Sequence, residues 1–251
     1  MKISVCLPIV FSDLPLDEAL RVVGEIGYRY AECWRVSDEE VPAIQRAIQE
    51  SGVEVLSVVA DDFGLNVEDN RSLWLRKLRE CAVRAKALGA SFIVTQVGQD
   101  SGAPRQEQYA TVIEGLRQGA VLLEEYGLTL LVEPLNTKVN HKGYLLEKSK
   151  DAFEIIEAVN SPRVRLVYDI YHQQISEGNI VPTICENLDK IAHLHGAANP
   201  GRCEIFLGEN DYRMIIKLLE EAGYTGALTL EYKPTLPPEE SLAKTLQYLV
   251  C

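Results

Sequence analysis

The chain has 251 residues, of which 47% are hydrophobic and 25% are charged. These shares are typical of a globular protein and exclude a disordered, collagen-like or coiled-coil chain. The 25 lysines and arginines stand against 37 aspartates and glutamates, which gives a formal net charge of -12. Such a surface repels phosphate backbones and anionic membranes, so we expect neither nucleic acid nor a membrane as a partner.

Short segments rich in β-branched residues alternate with longer amphipathic segments along the whole chain. Strands are predicted at residues 3–7, 30–34, 53–59, 92–96, 128–133, 164–169, 191–195 and 227–231. Helices are predicted at residues 16–26, 39–50, 73–88, 106–126, 149–159, 180–188, 212–222 and 239–249. The strands read as nearly continuous apolar runs, such as VEVLSVV and LTLLV, which is typical of parallel strands buried on both faces.

Eight strand–helix units in 251 residues amount to about 31 residues per unit, which is the pattern of a (β/α)8 TIM barrel. The alternative is a doubly wound sheet, which usually carries a glycine-rich phosphate-binding turn after its first strand. Here the first strand is followed by Pro8-Ile9-Val10-Phe11 instead. No linker or low-complexity tract divides the chain, so we predict one TIM-barrel domain over residues 1–251.

The cysteines and the N-terminal segment bear on the cellular compartment. The six cysteines are dispersed, and none forms a C-x-x-C pair, so free thiols in a reducing cytoplasm are expected. No apolar run approaches the ~18–20 residues of a bilayer-spanning helix, and early acidic residues argue against a signal peptide. We expect a cytoplasmic protein. The sequence leaves its oligomeric state open, and a homo-oligomer is possible.

A residue type that binds metals stands at the end of each of the last four predicted strands. These residues are Glu133, Asp169, His195 and Glu231. Chemistry in TIM barrels is carried by residues at the carboxyl ends of the strands, and neighbouring strands lie ~4.8 Å apart, so the four can converge. Several carboxylates buried together without a cation would be costly, because each raises the pKa of the others. Three carboxylates and one imidazole favour a divalent ion such as Mn²⁺, Mg²⁺ or Co²⁺.

Further polar residues follow the same strands, extend the polar surface around these four, and are candidates for substrate binding. They are Asn136, His172, Arg202, Glu209 and Lys233. Taken singly, arginines, lysines and glutamates in loops are most often merely solvated. His172 is placed in a loop, DIYHQQISEGN, that begins at Asp169.

Three more polar residues are considered near strand ends. Glu32 lies near the end of the second predicted strand and Gln96 ends the fourth, and neither is given a role. His193 is separated from His195 by one residue, and we expect it to face the helices rather than the lumen.

Four stretches of the second half resemble one known family. They are EPLNTKVNHKGYLL from Glu133, LVYDIYHQQISEGNI from Leu166, HLHGAANPGRCEIFLGENDY from His193 and GYTGALTLEYKP from Gly223. They are similar to the xylose-isomerase-like barrels of the sugar isomerase and epimerase superfamily, and most closely to the hydroxypyruvate isomerase family.

The resemblance implies roles for the residues at the strand ends. It implies that all four bind one divalent ion and that Glu133 and Glu231 act as an acid/base pair on opposite faces of the substrate. It also implies that His172 and Arg202 contact the substrate. Some hydroxypyruvate isomerases carry glutamine where this chain has His195, so the histidine favours metal binding here.

The expected function is isomerisation of a small hydroxy-carbonyl compound through an enediolate, such as hydroxypyruvate to tartronate semialdehyde, or of a related keto acid or ketose. A ketose 3-epimerase is less favoured, because that branch carries a further glutamate where this chain has Lys138-Val139. A dehydratase of the inosose or dehydroshikimate type would use the same metal and the same proton abstraction. A DNA-repair endonuclease would need several zinc ions, and four histidines with a net charge of -12 argue against it. A sugar-binding protein on a decayed barrel is disfavoured by the intact ligand set.

Overall fold

The computed structural model describes residues 1–60 and 63–250. Its strands are β1 (Lys2–Cys6), β2 (Tyr30–Cys33), β3 (Glu54–Val59), β4 (Phe92–Thr95), β5 (Thr129–Val132), β6 (Val164–Asp169), β7 (Ile191–Gly196) and β8 (Ala227–Leu230). Its α-helices are α1 (Leu7–Val10), α2 (Leu16–Ile26), α3 (Val41–Ser51), α4 (Arg71–Ala87), α5 (Arg105–Glu124), α6 (Ser149–Val159), α7 (Ile170–Ser176), α8 (Ile180–Cys185), α9 (Tyr212–Glu221) and α10 (Pro238–Val250), with a 3-10 turn at Glu68–Asn70.

The eight strands form a closed parallel barrel in chain order, with β8 paired to β1. The predicted fold class is therefore confirmed. The strand bounds agree with the prediction to within one residue at each end, and those of β6 agree at both ends. The agreement is close because parallel strands buried on both faces carry uninterrupted apolar runs.

Two short helices were not predicted. The first, α1, occupies Leu7–Val10, directly after β1. The second, α7, covers Ile170–Ser176, where a loop was predicted, so that prediction is wrong. The side chain of Asp169 accepts a hydrogen bond from the backbone N–H of His172, which caps the helix at its first turn. A helix of seven residues is too short to show the periodicity on which the prediction depended.

The interior of the barrel is closed by a small apolar cluster beneath the strand ends. Val94, Leu131 and Val167 form this cluster, separate from the main core between sheet and helices. Leu131 lies two residues before Glu133, and Val167 lies two before Asp169, so strand alternation places each pair on the same face. The polar side chains at the strand ends therefore stand on an apolar floor.

The outer helices pack closely where glycines allow it. A Cβ atom added at Gly119 of α5 would lie 2.7 Å from the ring of Trp74 in α4. Cys6, Cys33, Cys185 and Cys203 are free thiols, as predicted for them. In the described part of the chain, no helix combines the length and the apolar character needed to cross a bilayer.

Candidate active site

The carboxyl ends of the strands open onto a cavity of about 570 Å³. Its polar wall includes Glu133, His195, Glu231, His172 and Arg202. Its apolar wall is contributed by Pro8, Leu16, Trp34, Val59 and Leu135. The structure thus brings five of the predicted site residues to one cavity at the end of the barrel where TIM-barrel chemistry takes place.

The four residues predicted as metal ligands converge at the base of this cavity. Asp169 is the last residue of β6 and His195 lies in β7, whereas Glu133 and Glu231 directly follow β5 and β8. Each offers one ligand atom, and these four atoms all lie within 4.8 Å of one another. The residues are 1% to 6% exposed, so the cluster is almost entirely buried.

The charges of the cluster fit a cation. Three carboxylates share the buried space. Burial is the main cause that raises the pKa of Glu231 to about 8; the two neighbouring carboxylates add to the increase, and Arg202 opposes it. The Arg202 Nη2 donates a hydrogen bond of 2.6 Å to Glu231 Oε2. Burial alone would lower the pKa of His195, but the surrounding carboxylates raise it well above its usual range. The hard oxygen and imidazole donors of this site suit one divalent ion.

The imidazole of His195 has carboxylates on both sides. Its Nδ1 lies 3.2 Å from Glu133 Oε1 and 3.8 Å from Glu231 Oε2. Its Nε2 lies 3.0 Å from Oε2 of Glu32, which also accepts a hydrogen bond of 2.5 Å from Ser57 Oγ. Glu32 is wholly buried; burial would raise its pKa, but His195 holds it at about 2. The sequence reasoning had noticed Glu32 near a strand end without giving it a role.

The prediction that His193 faces the helices is wrong. Residues two apart on a strand point to the same face, so His193 lies in the lumen one layer below His195. The two rings are 5.5 Å apart, and His193 Nε2 lies 2.7 Å from Thr229 Oγ1 and 3.9 Å from Glu32 Oε2. Burial lowers the pKa of His193 to about 3, so this ring is neutral.

His172 reaches the cavity from α7 in a defined tautomer. The backbone N–H of Asn136 donates to His172 Nδ1 at 3.2 Å, so that nitrogen is the acceptor and Nε2 carries the proton. Burial lowers the pKa of His172 well below its usual range, which keeps the ring neutral. Its Nε2 is buried, lies 3.6 Å from Asp169 Oδ2 and makes no hydrogen bond within the described part of the chain. It is a donor available to a molecule in the cavity.

Asn136 is buried behind His172 and organises the loop that follows β5. Its Oδ1 accepts hydrogen bonds from the backbone N–H groups of Val139 and Asn140 at 3.0 and 3.2 Å. Its Nδ2 lies 2.6 Å from Nδ1 of His172. The structure therefore places Asn136 behind a cavity-lining residue and not on the cavity wall.

Arg202 is held in place by the loop between β7 and α9. Its backbone φ is 50°, and its carbonyl accepts a hydrogen bond of 2.8 Å from the N–H of Lys233. Its guanidinium lies 5.4 Å from the ring centre of Tyr171. The buried carboxylate of Glu204 accepts backbone hydrogen bonds from Thr235 at 2.8 Å and from the next residue at 3.3 Å, which joins this loop to the one after β8. Sequence reasoning missed Glu204, because a glutamate in a loop normally indicates solvated surface.

Two predicted substrate-binding side chains lie outside the cavity. Glu209 accepts hydrogen bonds from Gln174 at 3.0 Å and Asn199 at 2.7 Å on the exposed rim. Lys233 is exposed, and it contributes its backbone N–H rather than its ammonium group to the loop of Arg202. Gln96, by contrast, lines the cavity and donates to Glu133 Oε2 at 3.1 Å.

A closed barrel with four possible metal ligands at its strand ends defines the class of protein, and the comparison with known proteins gives the same class. Residues 20–250 match the family model described as xylose isomerase-like TIM barrel, and the chain belongs to that family.

Individual relatives are similar over nearly the whole chain. Hydroxypyruvate isomerase of Escherichia coli K12 is 29% identical over 96% of this chain and 97% of its own length. A 2-oxo-tetronate isomerase of Haemophilus influenzae is 26% identical over 93% of both chains. A crystal structure from Brucella melitensis, described as AP endonuclease, family 2, superposes with a TM-score of 0.92 at 26% identity and covers 98% of each chain.

Proposed function

We propose that the protein is a divalent-metal-dependent isomerase of a small hydroxy-carbonyl acid, with hydroxypyruvate as the representative substrate and tartronate semialdehyde as the product. The observation that carries the proposal is the meeting of Glu133 and Glu231 in a buried cluster with Asp169 and His195. The relatives in Escherichia coli and Haemophilus influenzae, which are named as isomerases of small keto acids, support the same reaction class.

The proposed metal is one Mn²⁺, Mg²⁺ or Co²⁺ ion held by the four clustered residues. Carboxylates and an imidazole are donors that these ions accept. A bound ion acts as a Lewis acid that stabilises negative charge developing on the substrate oxygens. The cavity above the cluster has about 570 Å³, which accommodates a substrate of a few carbon atoms beside the ion.

The proposed chemistry moves a proton between two adjacent carbons. For hydroxypyruvate, one of the two carboxylates, Glu133 or Glu231, removes a proton from C3, and the electron pair left behind forms the enediolate. A proton is then delivered to C2 by the same or the other carboxylate, while the proton of the C3 hydroxyl passes to the oxygen on C2. The product is the isomeric aldehyde, so atoms and electrons balance without an oxidant. Glu133 is oriented by Gln96 and Glu231 by Arg202, at 3.1 and 2.6 Å.

An acid substrate is favoured by the donors that face the cavity. Nε of Arg202 is buried and, like Nε2 of His172, makes no hydrogen bond to any described residue. Buried donors without partners are costly in an empty protein, and an anionic group of the substrate would satisfy them. We propose that Arg202 binds the substrate carboxylate and that His172 donates to a neutral oxygen.

The alternatives draw less support. The Brucella melitensis structure is described as an endonuclease, yet the present chain has a net charge of -12, and the cluster of Glu133, Asp169, His195 and Glu231 suits a single ion. A negatively charged protein would bind a phosphate backbone poorly. Lys138, one of the two residues that stand where a 3-epimerase would carry a glutamate, donates to backbone carbonyls of Ile175 and Ser176 at 2.8 and 3.0 Å and so points away from the cavity.

The test is a turnover experiment in D₂O with added Mn²⁺ or Mg²⁺, followed by proton NMR. The proposal predicts conversion of hydroxypyruvate to tartronate semialdehyde with deuterium at C2, because the moving proton exchanges with solvent on a carboxylate. Glu231→Gln should lower turnover by about 10²–10⁴-fold. Glu240→Gln, which alters an exposed glutamate paired with Lys244 on α10, is the matched control and should leave turnover unchanged. A wild-type protein inactive on a panel of small keto acids with every metal would overturn the proposal.

A further inference from the structure

A second group of titratable side chains lies directly beneath the four clustered ligands. Glu32, His193 and His195 each offer an atom within 4.8 Å of the others, and all three are buried. Glu32 is the one carboxylate in this group, and neither the predicted ligand set nor the proposed reaction uses it. Its Oε2 meets Nε2 of His195 at 3.0 Å.

In this lower group, the facing atoms of Glu32 and His195 lie at hydrogen-bond distance, 3.0 Å apart. The group offers three donor residues, one fewer than the cluster above it, and it shares His195 with that cluster. His193 uses its Nε2 on Thr229 at 2.7 Å and keeps 3.9 Å from Glu32. This geometry favours Glu32 as a hydrogen-bond partner of His195 rather than as a ligand of a second ion.

The two nitrogens of His195 face different partners. Nδ1 is directed towards Glu133 and Glu231, at 3.2 and 3.8 Å, so an ion among the four ligands would be bound through Nδ1. A metal-bound imidazole keeps its proton on the other nitrogen, which here is Nε2. That proton points at a carboxylate in a space from which water is excluded.

We propose that Glu32 is a positioning residue for the metal centre: it accepts the Nε2–H of His195, fixes the ring with Nδ1 towards the ion, and raises the basicity of Nδ1. Carboxylates in this position behind a metal-bound histidine orient the ring and strengthen its metal binding. The inference rests on the proposed metal centre above it, but it concerns a residue that touches neither the ion nor the substrate.

The surroundings of Glu32 equip it for this role. Ser57 Oγ donates to the same oxygen at 2.5 Å, so Oε2 is fixed between two donors. The other oxygen, Oε1, is buried and makes no hydrogen bond within residues 1–60 and 63–250. Glu32→Gln is nearly isosteric, and its neutral oxygen is a weaker acceptor for Nε2–H.

The test compares Mn²⁺ affinity in the wild type and in Glu32→Gln by chelator competition. We expect about 10–100-fold weaker binding in the variant. Glu240→Gln is the control, because it neutralises another glutamate, which pairs with Lys244 on α10 and does not contact His195. It should bind Mn²⁺ as the wild type does.

A second readout separates positioning from a general structural effect. In the Mg²⁺-loaded protein with ¹⁵N-labelled histidine, His195 should show a slowly exchanging Nε2–H proton, and its resonance should move upfield in Glu32→Gln. Equal Mn²⁺ affinity with an unchanged resonance would overturn the role of Glu32 alone, whereas a wild type that binds no ion would overturn the metal centre. If Glu32→Gln does not fold, Ser57→Ala removes a competing donor and leaves the carboxylate. It should then bind Mn²⁺ at least as tightly as the wild type, and tenfold weaker binding would contradict the proposal.

Discussion

Replacing Arg202 by methionine should lower the free energy of unfolding of the metal-free protein and yet increase its affinity for metal. Methionine fills a similar apolar volume, and it leaves the strain of the backbone φ of 50° unchanged because both residues carry a Cβ. The substitution removes the guanidinium that donates to Glu231 at 2.6 Å. It leaves the carboxylate of Glu231 beside those of Glu133 and Asp169 with one cationic neighbour fewer.

The magnitude follows from the burial of the pair. In an assay at about pH 9, above the pKa of about 8 of Glu231, both partners are charged, and breaking such a buried ion pair by removing one partner costs about 3–5 kcal/mol. The arginine side chain is 16% exposed and Glu231 is 8% exposed, so we take the lower end of that range. For a chain of this length, about 3 kcal/mol corresponds to a fall in Tm of about 6–12 °C in the presence of a chelator.

Metal should restore part of this loss. An ion neutralises the carboxylates that the arginine no longer balances, and Glu231 is freed from its competing partner. By linkage, a smaller loss of stability in the loaded protein requires tighter binding, and about tenfold tighter binding equals about 1.4 kcal/mol. Turnover should nevertheless fall, because the arginine that is proposed to bind the substrate carboxylate is gone.

The assay is thermal unfolding of Arg202→Met and the wild type, with EDTA and with saturating Mn²⁺, alongside a Mn²⁺ titration. Arg202→Lys retains a charge and serves as the control, with a smaller effect in each measurement. Equal losses of stability with and without Mn²⁺ would show that Glu231 and the ion do not share a site, and the reasoning would be refuted.

Two further outcomes are expected. Metal and protons compete for the cluster, and burial raises the pKa of Glu231 to about 8. The Mn²⁺ affinity should therefore fall as the pH is lowered from 8 to 6, by about tenfold per pH unit for each proton displaced. Calorimetry in buffers of different ionisation enthalpy counts those protons, and a pH-independent affinity would contradict the expectation. Gly119→Ala would place a Cβ 2.7 Å from the ring of Trp74 and 3.1 Å from Leu78 Cδ2. This overpacking should outweigh the higher helix propensity of alanine, and the midpoint of urea unfolding should drop by the equivalent of about 1–2 kcal/mol. An unchanged or higher midpoint would show that α4 and α5 move apart freely.

The ligand cluster could be predicted because it depends on topology rather than on loop shape. Once the strands are recognised as parallel and closed, the residue at the end of each strand has a known position, and Glu133 and Asp169 follow directly. The same reasoning gave a wrong position for His193, because it placed residues two apart on opposite faces of the strand. Such residues share a face, so a histidine two positions before a lumen-facing His195 must also face the lumen.

The supporting residues could not be predicted, because their roles depend on contacts between distant parts of the chain. Glu32 and His195 are 163 positions apart, and only the closure of the barrel brings them together. Asn136 was expected on the cavity wall, but its side chain satisfies the backbone of its own loop. Glu209 and Lys233 lie in loops whose course is set by the buried carboxylate of Glu204, which no local pattern indicates.

The most direct test of the account is anomalous diffraction from crystals of the wild-type protein soaked in Mn²⁺. The account predicts a single strong peak bounded by the side chains of Glu133, Asp169, His195 and Glu231, with His195 coordinating through Nδ1 and Nε2 still hydrogen-bonded to Glu32. A map without a peak among these four side chains, or with His195 turned away from them, would contradict it.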